Sequence, residues 1–102
     1  MTLEEILGLA PVVPVLIIED AADAVPLARA LVAGGLRALE VTLRTPAAHE
    51  AIRRIAGEVE GAVVGAGTVT SAAARAACAR DGAQFAVSPG LIGGEGVDGP
   101  IP

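Results

Sequence analysis

The stretch LEVTLRT, residues 39–45, decides the fold because it alternates apolar and polar side chains within an otherwise aliphatic segment. In a β-strand every second side chain points to the same face of the sheet. The alternation therefore predicts one face that is entirely apolar and one that is small and polar. The polar face comprises Ala38, Glu40, Thr42 and Arg44, and the apolar face comprises Leu39, Val41 and Leu43.

Glu40 is the residue in this strand that most needs an explanation. Burying an unpaired carboxylate costs several kcal/mol or forces the group to take up a proton. Glu40 therefore requires either a partner or a function. Arg44 lies about 13 Å further along an ideal strand, so the two side chains can line one pocket without touching. An edge strand with one solvated face explains the same spacing, and the spacing alone does not separate the two interpretations.

Four aliphatic runs alternate with helical patterns along the rest of the chain. Parallel strands joined by helices follow from such an alternation, so we predict an α/β fold with a parallel sheet. The predicted strands are VVPVLII (12–18), LRALEVTLR (36–44), AVVGAGTV (62–69) and AQFAVSPG (83–90).

The helix ends carry recognisable signals. Thr2 followed by Glu5 predicts a capping box on a leading helix. Asp20 or Asp23 is the expected cap of the next helix, in which Pro26 is tolerable only in the first turn. The helix after the second strand is predicted to begin with Thr45 as its cap and Pro46 at its first position. The helix after the third strand is predicted to end at Gly82.

Two architectures fit four strand–helix repeats. A small open, doubly wound sheet suits the 102 residues, whereas a complete (β/α)8 barrel needs roughly 200–250. The strand ends favour part of a barrel. Thr68, the last residue of GAGT, lies at the exit of strand three, and Ser88 and Pro89 lie at the exit of strand four. Ligands lie at such ends in α/β folds. We therefore expect residues 1–91, with a leading helix, to form part of a TIM barrel, and residues 92–102 to form a Gly-rich tail; the resemblance described below implies that this part is the N-terminal half.

Composition excludes several classes of function. The net charge of −5 opposes binding to a phosphate backbone, so we expect no nucleic-acid partner. The single cysteine, Cys78, cannot form an internal disulfide or a zinc site, and we expect it to be a small core residue. The acidic start and the short, proline-interrupted apolar run predict a cytoplasmic protein that does not enter a membrane.

Two further residue patterns carry little functional signal. Gly65 and Gly67 begin a dinucleotide fingerprint, but Thr70 occupies its third glycine position, so we expect no nucleotide. No other cofactor and no metal are expected. His49 lies in the arginine-bearing second helix and is expected to be solvated.

The chain resembles the N-terminal half of the bacterial 2-keto-3-deoxy-6-phosphogluconate (KDPG) and 4-hydroxy-2-oxoglutarate (KHG) aldolases. The segments that carry the resemblance, in order, are PVVPVL (11–16), AVPLARALVAGGLRALEVTLRT (24–45), VVGAGTV (63–69) and GAQFAVSPGL (82–91). The resemblance implies a (β/α)8 barrel, usually a homotrimer, and a class I aldolase. Such a lyase cleaves a keto-deoxy sugar acid phosphate to pyruvate and glyceraldehyde 3-phosphate.

The resemblance also assigns roles to individual residues. It makes Glu40 the proton shuttle and Arg44 a ligand of the pyruvyl carboxylate, while Thr68 and the backbone around Pro89 complete the pyruvate pocket. The family's Schiff-base nucleophile is a lysine on a later strand, whereas all seven basic residues of this chain are arginines. The chain alone is therefore expected to be inactive.

Two other functions stay open at this point. The chain could be a non-catalytic truncated or engineered half-barrel that serves assembly, or an open-sheet protein with its own ligand at the strand ends. A half-barrel would leave two sheet edges unpaired and an inner face around Val13, Val15 and Ala86 uncovered. We therefore expect a homo-oligomer.

Overall fold

The structure is a computed structural model that describes residues 2–8, 12–88 and 98–101. Strands and helices alternate, as predicted. The helices are α1 (Leu3–Leu7), α2 (Ala24–Ala33), α3 (Ala48–Glu58) and α4 (Ala72–Asp81), with a 3₁₀ turn at Ala21–Asp23 before α2. The strands are β1 (Val15–Leu16), β2 (Ala38–Thr42), β3 (Val63–Gly67), β4 (Phe85–Ala86) and β5 (Gly99–Pro100).

The sheet has the strand order β1-β2-β3-β4-β5, and its first four strands are parallel. Doubly wound sheets reverse their strand order at a switch point, and the described strands show no such reversal. Helix α2 packs beside α3 and α3 beside α4, so the three helices cover the sheet in sequence. This is the arrangement of consecutive units in a (β/α)8 barrel.

The main hydrophobic core lies between the sheet and these helices, and Leu39 and Val41 are fully buried in it. A second, smaller cluster covers part of the other face of the sheet, where Ile6 of α1 packs with Ala38, Val63 and Phe85. The two faces predicted from LEVTLRT are therefore confirmed for β2.

Most predicted helix signals are confirmed. Thr2 and Glu5 form the capping box of α1, Pro26 lies in the first turn of α2, and Gly82 ends α4 with a φ of 100°. Asp20 caps the 3₁₀ turn through its contact with the Ala22 N–H.

The predicted cap at Thr45 is wrong. Helix α3 begins at Ala48, after a turn that contains Pro46. The Thr45 hydroxyl instead donates to the carbonyl of Ile18. This bond ties the end of the β1 segment to the turn after β2, which is a tertiary contact that no local sequence pattern encodes.

Three expectations about the strands also need correction. β1 has two residues rather than seven. Ala86 belongs to the helix-side core, although it also borders the cavity on the inner face, where Phe85 takes the inward position. The β4 edge is not open, since β5 pairs with it antiparallel, Phe85 opposite Pro100. Strand β5 lies in the segment that we predicted to be a Gly-rich tail. The division of the chain at residues 91 and 92 stays a prediction.

A glycine pair tests the close packing of β3. A Cβ at Gly65 would lie 2.3 Å from the ring of Phe85, whereas one at Gly57 in α3 would meet no atom within 4 Å. We expect Gly65→Ala to lower the free energy of unfolding by about 1–3 kcal/mol through overpacking. The matched Gly57→Ala should raise it by about 0.5–1 kcal/mol through helix propensity. Urea unfolding measures both values, and a Gly65→Ala variant as stable as the wild type would contradict the packing described for Phe85.

Candidate functional site

Glu40 lies in the middle of β2, between Val15 of β1 and Gly65 of β3 in the strand register. Its side chain extends over β3 toward the carboxyl end of the sheet. A Cβ built on Gly67 would lie only 2.2 Å from Glu40 Oε2. The carboxyl group therefore occupies space that exists only because residue 67 has no side chain.

Glu40 lines a cavity of about 420 Å³ on the inner face of the sheet. Apolar side chains form most of its wall, and Asp98 is the other acidic residue. The lining residues are Ile6, Val13, Glu40, Phe85, Ala86, Val87, Asp98 and Gly99.

The apolar surroundings determine the protonation of Glu40. Burial raises the pKa of its carboxyl group above the ordinary value of 4.5 because the charged form loses hydration. No described residue donates a hydrogen bond or a positive charge to it. An unpaired carboxyl with a raised pKa in a cleft is typical of a group that exchanges protons with a ligand.

Asp98 differs from Glu40 because its oxygens are already bonded. It accepts hydrogen bonds from the backbone N–H of Ser88 and, at 2.9 Å, from the Ser88 hydroxyl. These bonds bring the segment before β5 against the segment after β4. Asp98 therefore shapes the wall of the cavity rather than providing a second unpaired acid.

Arg44 lies beyond the end of β2, in the following turn, and is exposed. Strand alternation therefore does not place it on the face of Glu40, contrary to the sequence-based expectation. The backbone around it is held by the Leu43 N–H, which donates to the Gly67 carbonyl at 2.9 Å. Within the described chain its guanidinium has no hydrogen-bond or ion-pair partner, so it is available to an anion.

Thr68 directly follows β3 and has a φ of 60°. A β-branched residue is a clear outlier in the left-handed region, and such a conformation costs about 1–3 kcal/mol. The next residue fixes the chain, because the Val69 N–H donates to the Val87 carbonyl at 2.9 Å. Thr68 and Arg44 thus lie at the carboxyl ends of neighbouring strands, as predicted, while Pro89 lies outside the described residues.

Sequence reasoning missed Phe85 and Asp98 among the residues that line the cavity. Phe85 is the only aromatic residue of the chain. Because neighbouring strand residues point to opposite faces, assigning Ala86 to the helix side would have placed Phe85 in the wall of the cavity. No signal identified Asp98, because β5 brings it to the cavity and the Gly-rich segment shows no strand pattern.

His49 is partly solvated, with 43% of its side chain exposed, but it also has a partner that the sequence did not predict. Its Nδ1 contacts a carboxylate oxygen of Asp81 at the end of α4, and Arg53 Nη1 lies 2.9 Å from the other oxygen. These contacts join α3 to α4 away from the cavity, so they support the helix layer. Cys78 is a buried core residue, as predicted, and burial together with the charge of Asp81 raises the pKa of its thiol to about 11.

The described residues show neither a metal-binding cluster nor a membrane-spanning helix. They contain no group of three or more His, Cys, Asp or Glu side chains that could hold a metal ion. None of the helices in that part of the chain is long and apolar enough to cross a membrane.

Comparison with known proteins identifies the family. The family model for KDPG and KHG aldolase matches residues 3–94. The chain belongs to this aldolase family. A 2-dehydro-3-deoxy-phosphogluconate aldolase from Zymomonas mobilis is 61% identical over 89 residues, which are 87% of this chain and 42% of the relative.

Solved aldolase structures share the fold. The crystal structure of the KDPG aldolase from Zymomonas mobilis ATCC 29191 superposes with a TM-score of 0.86 at 58% identity, covering 89% of this chain and 44% of that one. A KDPG aldolase from Legionella pneumophila, with pyruvate captured as a covalent carbinolamine, gives 0.82 at 42% identity, covering 86% and 43%.

These comparisons confirm the predicted fold class and the family resemblance. The α/β units of this chain are part of the TIM barrel of the KDPG aldolases. The chain spans about two fifths of the length of the curated relatives it matches.

The pKa of Glu40 predicts how stability changes with pH. Below the ordinary value of 4.5 the carboxyl is neutral in both folded and unfolded chains, so burial of a charge costs nothing. As the pH rises above that value, the unfolded chain ionises first and the folded state loses stability. We expect Glu40→Gln to be more stable than the wild type at about pH 8, with the difference shrinking toward about pH 4.

Urea unfolding across this pH range measures the difference. Glu60→Gln is the matched control because Glu60 is exposed, and it should show no comparable trend. A wild type that exceeds Glu40→Gln in stability at the higher pH would show that an unrecognised partner stabilises the Glu40 carboxylate.

Proposed function

We propose that this chain is the keto-acid-binding part of an aldolase that cleaves KDPG to pyruvate and glyceraldehyde 3-phosphate. The observation that carries the proposal is the Glu40 carboxyl, which lies unpaired over Gly67 in an apolar cavity and has a raised pKa. The names of the relatives supply the substrate class, because they are KDPG or KHG aldolases. The proposed ligand is the pyruvate moiety of the substrate.

Each candidate residue has a proposed role. Glu40 moves the proton that a retro-aldol step must transfer between oxygen and carbon. Arg44 binds the pyruvyl carboxylate, because a guanidinium is geometrically matched to a carboxylate and this one has no competing partner among the described residues. Thr68, at its strained turn, and the backbone near Pro89 complete the pocket.

The sequence contains no lysine, the residue whose side chain supplies the amine of a class I aldolase. A carbinolamine, such as the one captured in the Legionella pneumophila enzyme, forms when an amine adds to a carbonyl. The side chains of this sequence offer no primary amine, since its seven basic residues are all arginines. We therefore propose that the chain binds the keto acid without breaking its carbon–carbon bond.

A second candidate function is a non-catalytic half-barrel that assembles with other subunits, either with copies of itself or within a larger barrel. The exposed apolar side chains of Val15 and Ile17, on the inner side of the sheet edge, favour it. The two functions are compatible, because a carboxylate site at the strand ends leaves the β1 edge unused.

Ligand binding tests the proposed site. We expect pyruvate to bind with a dissociation constant of about 1 mM or weaker, because part of the pocket wall is missing. Arg44→Ala should weaken binding about tenfold or more, whereas Arg80→Ala, which removes an exposed arginine from the end of α4, should not change it. Chemical shifts of labelled protein during a pyruvate titration report both. Equal affinity in the wild type and Arg44→Ala would refute the assignment of Arg44.

An activity assay tests separately whether the chain can cleave KDPG without a lysine. We expect no pyruvate release from KDPG, measured by coupling to lactate dehydrogenase and NADH oxidation. Borohydride reduction in the presence of pyruvate should likewise leave the mass of the chain unchanged, because no iminium forms. The control is Glu40→Ala, and pyruvate release by the wild type above the level of that variant would overturn this part of the proposal.

A further inference from the structure

We propose that the backbone N–H and the hydroxyl of Ser88 form a carboxylate-binding site beside the Glu40 cavity, and that the side chain of Asp98 occupies this site as an internal competitor of an anionic ligand. The backbone N–H and the hydroxyl of Ser88 are called the Ser88 donor pair below. The inference rests on the proposed function in one respect, because the ligand with which Asp98 competes is the carboxylate of the keto acid.

The Asp98 carboxylate is held in the way that a carboxylate ligand would be. One of its oxygens accepts a hydrogen bond from the Ser88 backbone N–H, and the other accepts one from the Ser88 hydroxyl at 2.9 Å. Hydrogen bonds to an ionised acceptor are about twice as strong as neutral ones, and a two-point contact also fixes the orientation of the acceptor. The Ser88 donor pair therefore matches the two oxygens of a carboxylate.

The pairing of β4 with β3 directs the Ser88 N–H away from β3. The Val87 N–H donates to the Ala66 carbonyl at 2.8 Å, and the Val87 carbonyl accepts from the Val69 N–H at 2.9 Å. Successive residues of an extended chain direct their backbone groups to opposite sides. The Ser88 N–H accordingly points to the side on which β5 lies, where Asp98 provides the acceptor.

Ser88 also lies at the end of the sheet where the candidate site is. Arg44, Thr68 and Ser88 follow the last residues of β2, β3 and β4, respectively, within two positions. Ligands of (β/α)8 barrels bind at these carboxyl ends. Asp98 and Glu40 line the same cavity, so the Ser88 donor pair borders the space in which the proposed function places the keto acid.

Asp98 opposes an anionic ligand in two ways. It engages the Ser88 donor pair, and it places a negative charge on the wall of a mostly apolar cavity. Like charges repel each other more strongly in apolar surroundings than in water, because such surroundings screen them less. A ligand carboxylate must therefore displace Asp98 to use the Ser88 donor pair, and it should bind more tightly when the Asp98 charge is removed.

The segment that contains Asp98 has other contacts with the rest of the chain. The Ile101 N–H donates to the Gln84 carbonyl at 2.8 Å, and Arg75 Nη2 donates to the Pro100 carbonyl at 2.7 Å. Neither bond involves the Asp98 side chain. Removal of the Asp98 carboxyl is therefore expected to leave β5 paired with β4.

The amide proton of Ser88 reports the occupant of the site directly. A hydrogen bond to a carboxylate shifts an amide proton downfield, so the Ser88 resonance should move upfield in Asp98→Ala. Acetate, a carboxylate without a keto group, should restore the downfield position in this variant at about 10–100 mM. It should leave Ser88 of the wild type unchanged over the same range, and sodium chloride at equal ionic strength is the control for screening.

Pyruvate affinity tests the competition. Asp98→Ala should bind pyruvate about tenfold more tightly than the wild type, because two donors are released and a like charge is removed. Glu60→Ala is the matched control, because it removes one negative charge from an exposed position before β3, at the opposite end of the strands. It should bind pyruvate like the wild type. Equal affinity in the wild type and Asp98→Ala would overturn the competition.

A double variant separates the donors from the charge. Ser88→Ala removes the hydroxyl and keeps the backbone N–H. If the hydroxyl binds the ligand, Asp98→Ala/Ser88→Ala should bind pyruvate at least about threefold more weakly than Asp98→Ala. Equal affinity in these two variants would show that loss of charge explains the whole gain, and would overturn the Ser88 donor pair.

The acetate and pyruvate titrations also distinguish this inference from the proposed function. If acetate moves the Ser88 amide of Asp98→Ala no further than chloride does, the carboxylate site is overturned, whereas pyruvate binding that still requires Arg44 would leave the keto-acid site intact. If acetate moves that amide and pyruvate binds the variant no more tightly than acetate, the carboxylate site stands and the keto-acid assignment falls.

The amide resonances of Gly99 and Ile101 show whether β5 stays paired in each variant. Asp98→Asn keeps the size of the side chain and removes its charge, and it replaces Asp98→Ala if the segment detaches. Its neutral amide oxygen can still accept one bond, so the Ser88 shift and the gain in pyruvate affinity should have the same direction and a smaller size. An Asp98→Asn variant with the Ser88 shift and the pyruvate affinity of the wild type would overturn the proposal.

Discussion

The absence of side chains at Gly65 and Gly67 of β3 is the constraint on which the inner face of this sheet depends. The ring of Phe85 lies where a Cβ of residue 65 would be, and the Glu40 carboxyl lies where a Cβ of residue 67 would be. On the inner face, β3 therefore presents only backbone at these two positions, between the side chains of its neighbouring strands. Toward the start of the strands the space over this backbone is filled by Phe85 and the Ile6 cluster, and toward their carboxyl ends it holds an acid. The two glycines of β3 thus accommodate the apolar cluster around Phe85 at one end of the strand and the Glu40 carboxyl at the other.

This inner face contains groups that reduce stability, and the outer face compensates for them. The Glu40 carboxyl lacks a described partner, and Thr68 adopts a left-handed conformation that costs about 1–3 kcal/mol. The opposite face contains fully buried side chains from strands and helices, including Leu39, Val41 and Ile52. Each buried side chain of this size contributes about 1.5–3 kcal/mol. The helix layer, which His49 and Asp81 hold together, can therefore support a strained site on the other side of the sheet.

The sequence predicted those features that depend on neighbouring residues and missed those that depend on distant ones. The faces of β2, the capping box at Thr2 and the stop at Gly82 follow from alternation and cap chemistry within a few positions. Thr45 bonds Ile18 instead of capping a helix, and His49 contacts Asp81, because partners 27 and 32 residues away offered better contacts than the local ones. β5 could not be predicted from the sequence because it too depends on a distant partner, the edge of β4. Its two residues, Gly99 and Pro100, have poor strand propensity, and the edge of β4 imposes their conformation.

The candidate site residues suffice for ligand binding but not for cleavage of a carbon–carbon bond. Glu40, Arg44 and Thr68 all come from β2, β3 and the turns that follow them, so one continuous stretch of chain provides the groups for proton transfer and carboxylate binding. An amine nucleophile is a different requirement, because it must form a covalent bond to the carbonyl carbon while the acid acts on a neighbouring oxygen. Positioning and electrostatics at the first three groups can hold a keto acid in place without any electron sink. Affinity for pyruvate and aldol cleavage are consequently independent properties of this fold, and the presence of the first in this chain would carry no evidence for the second.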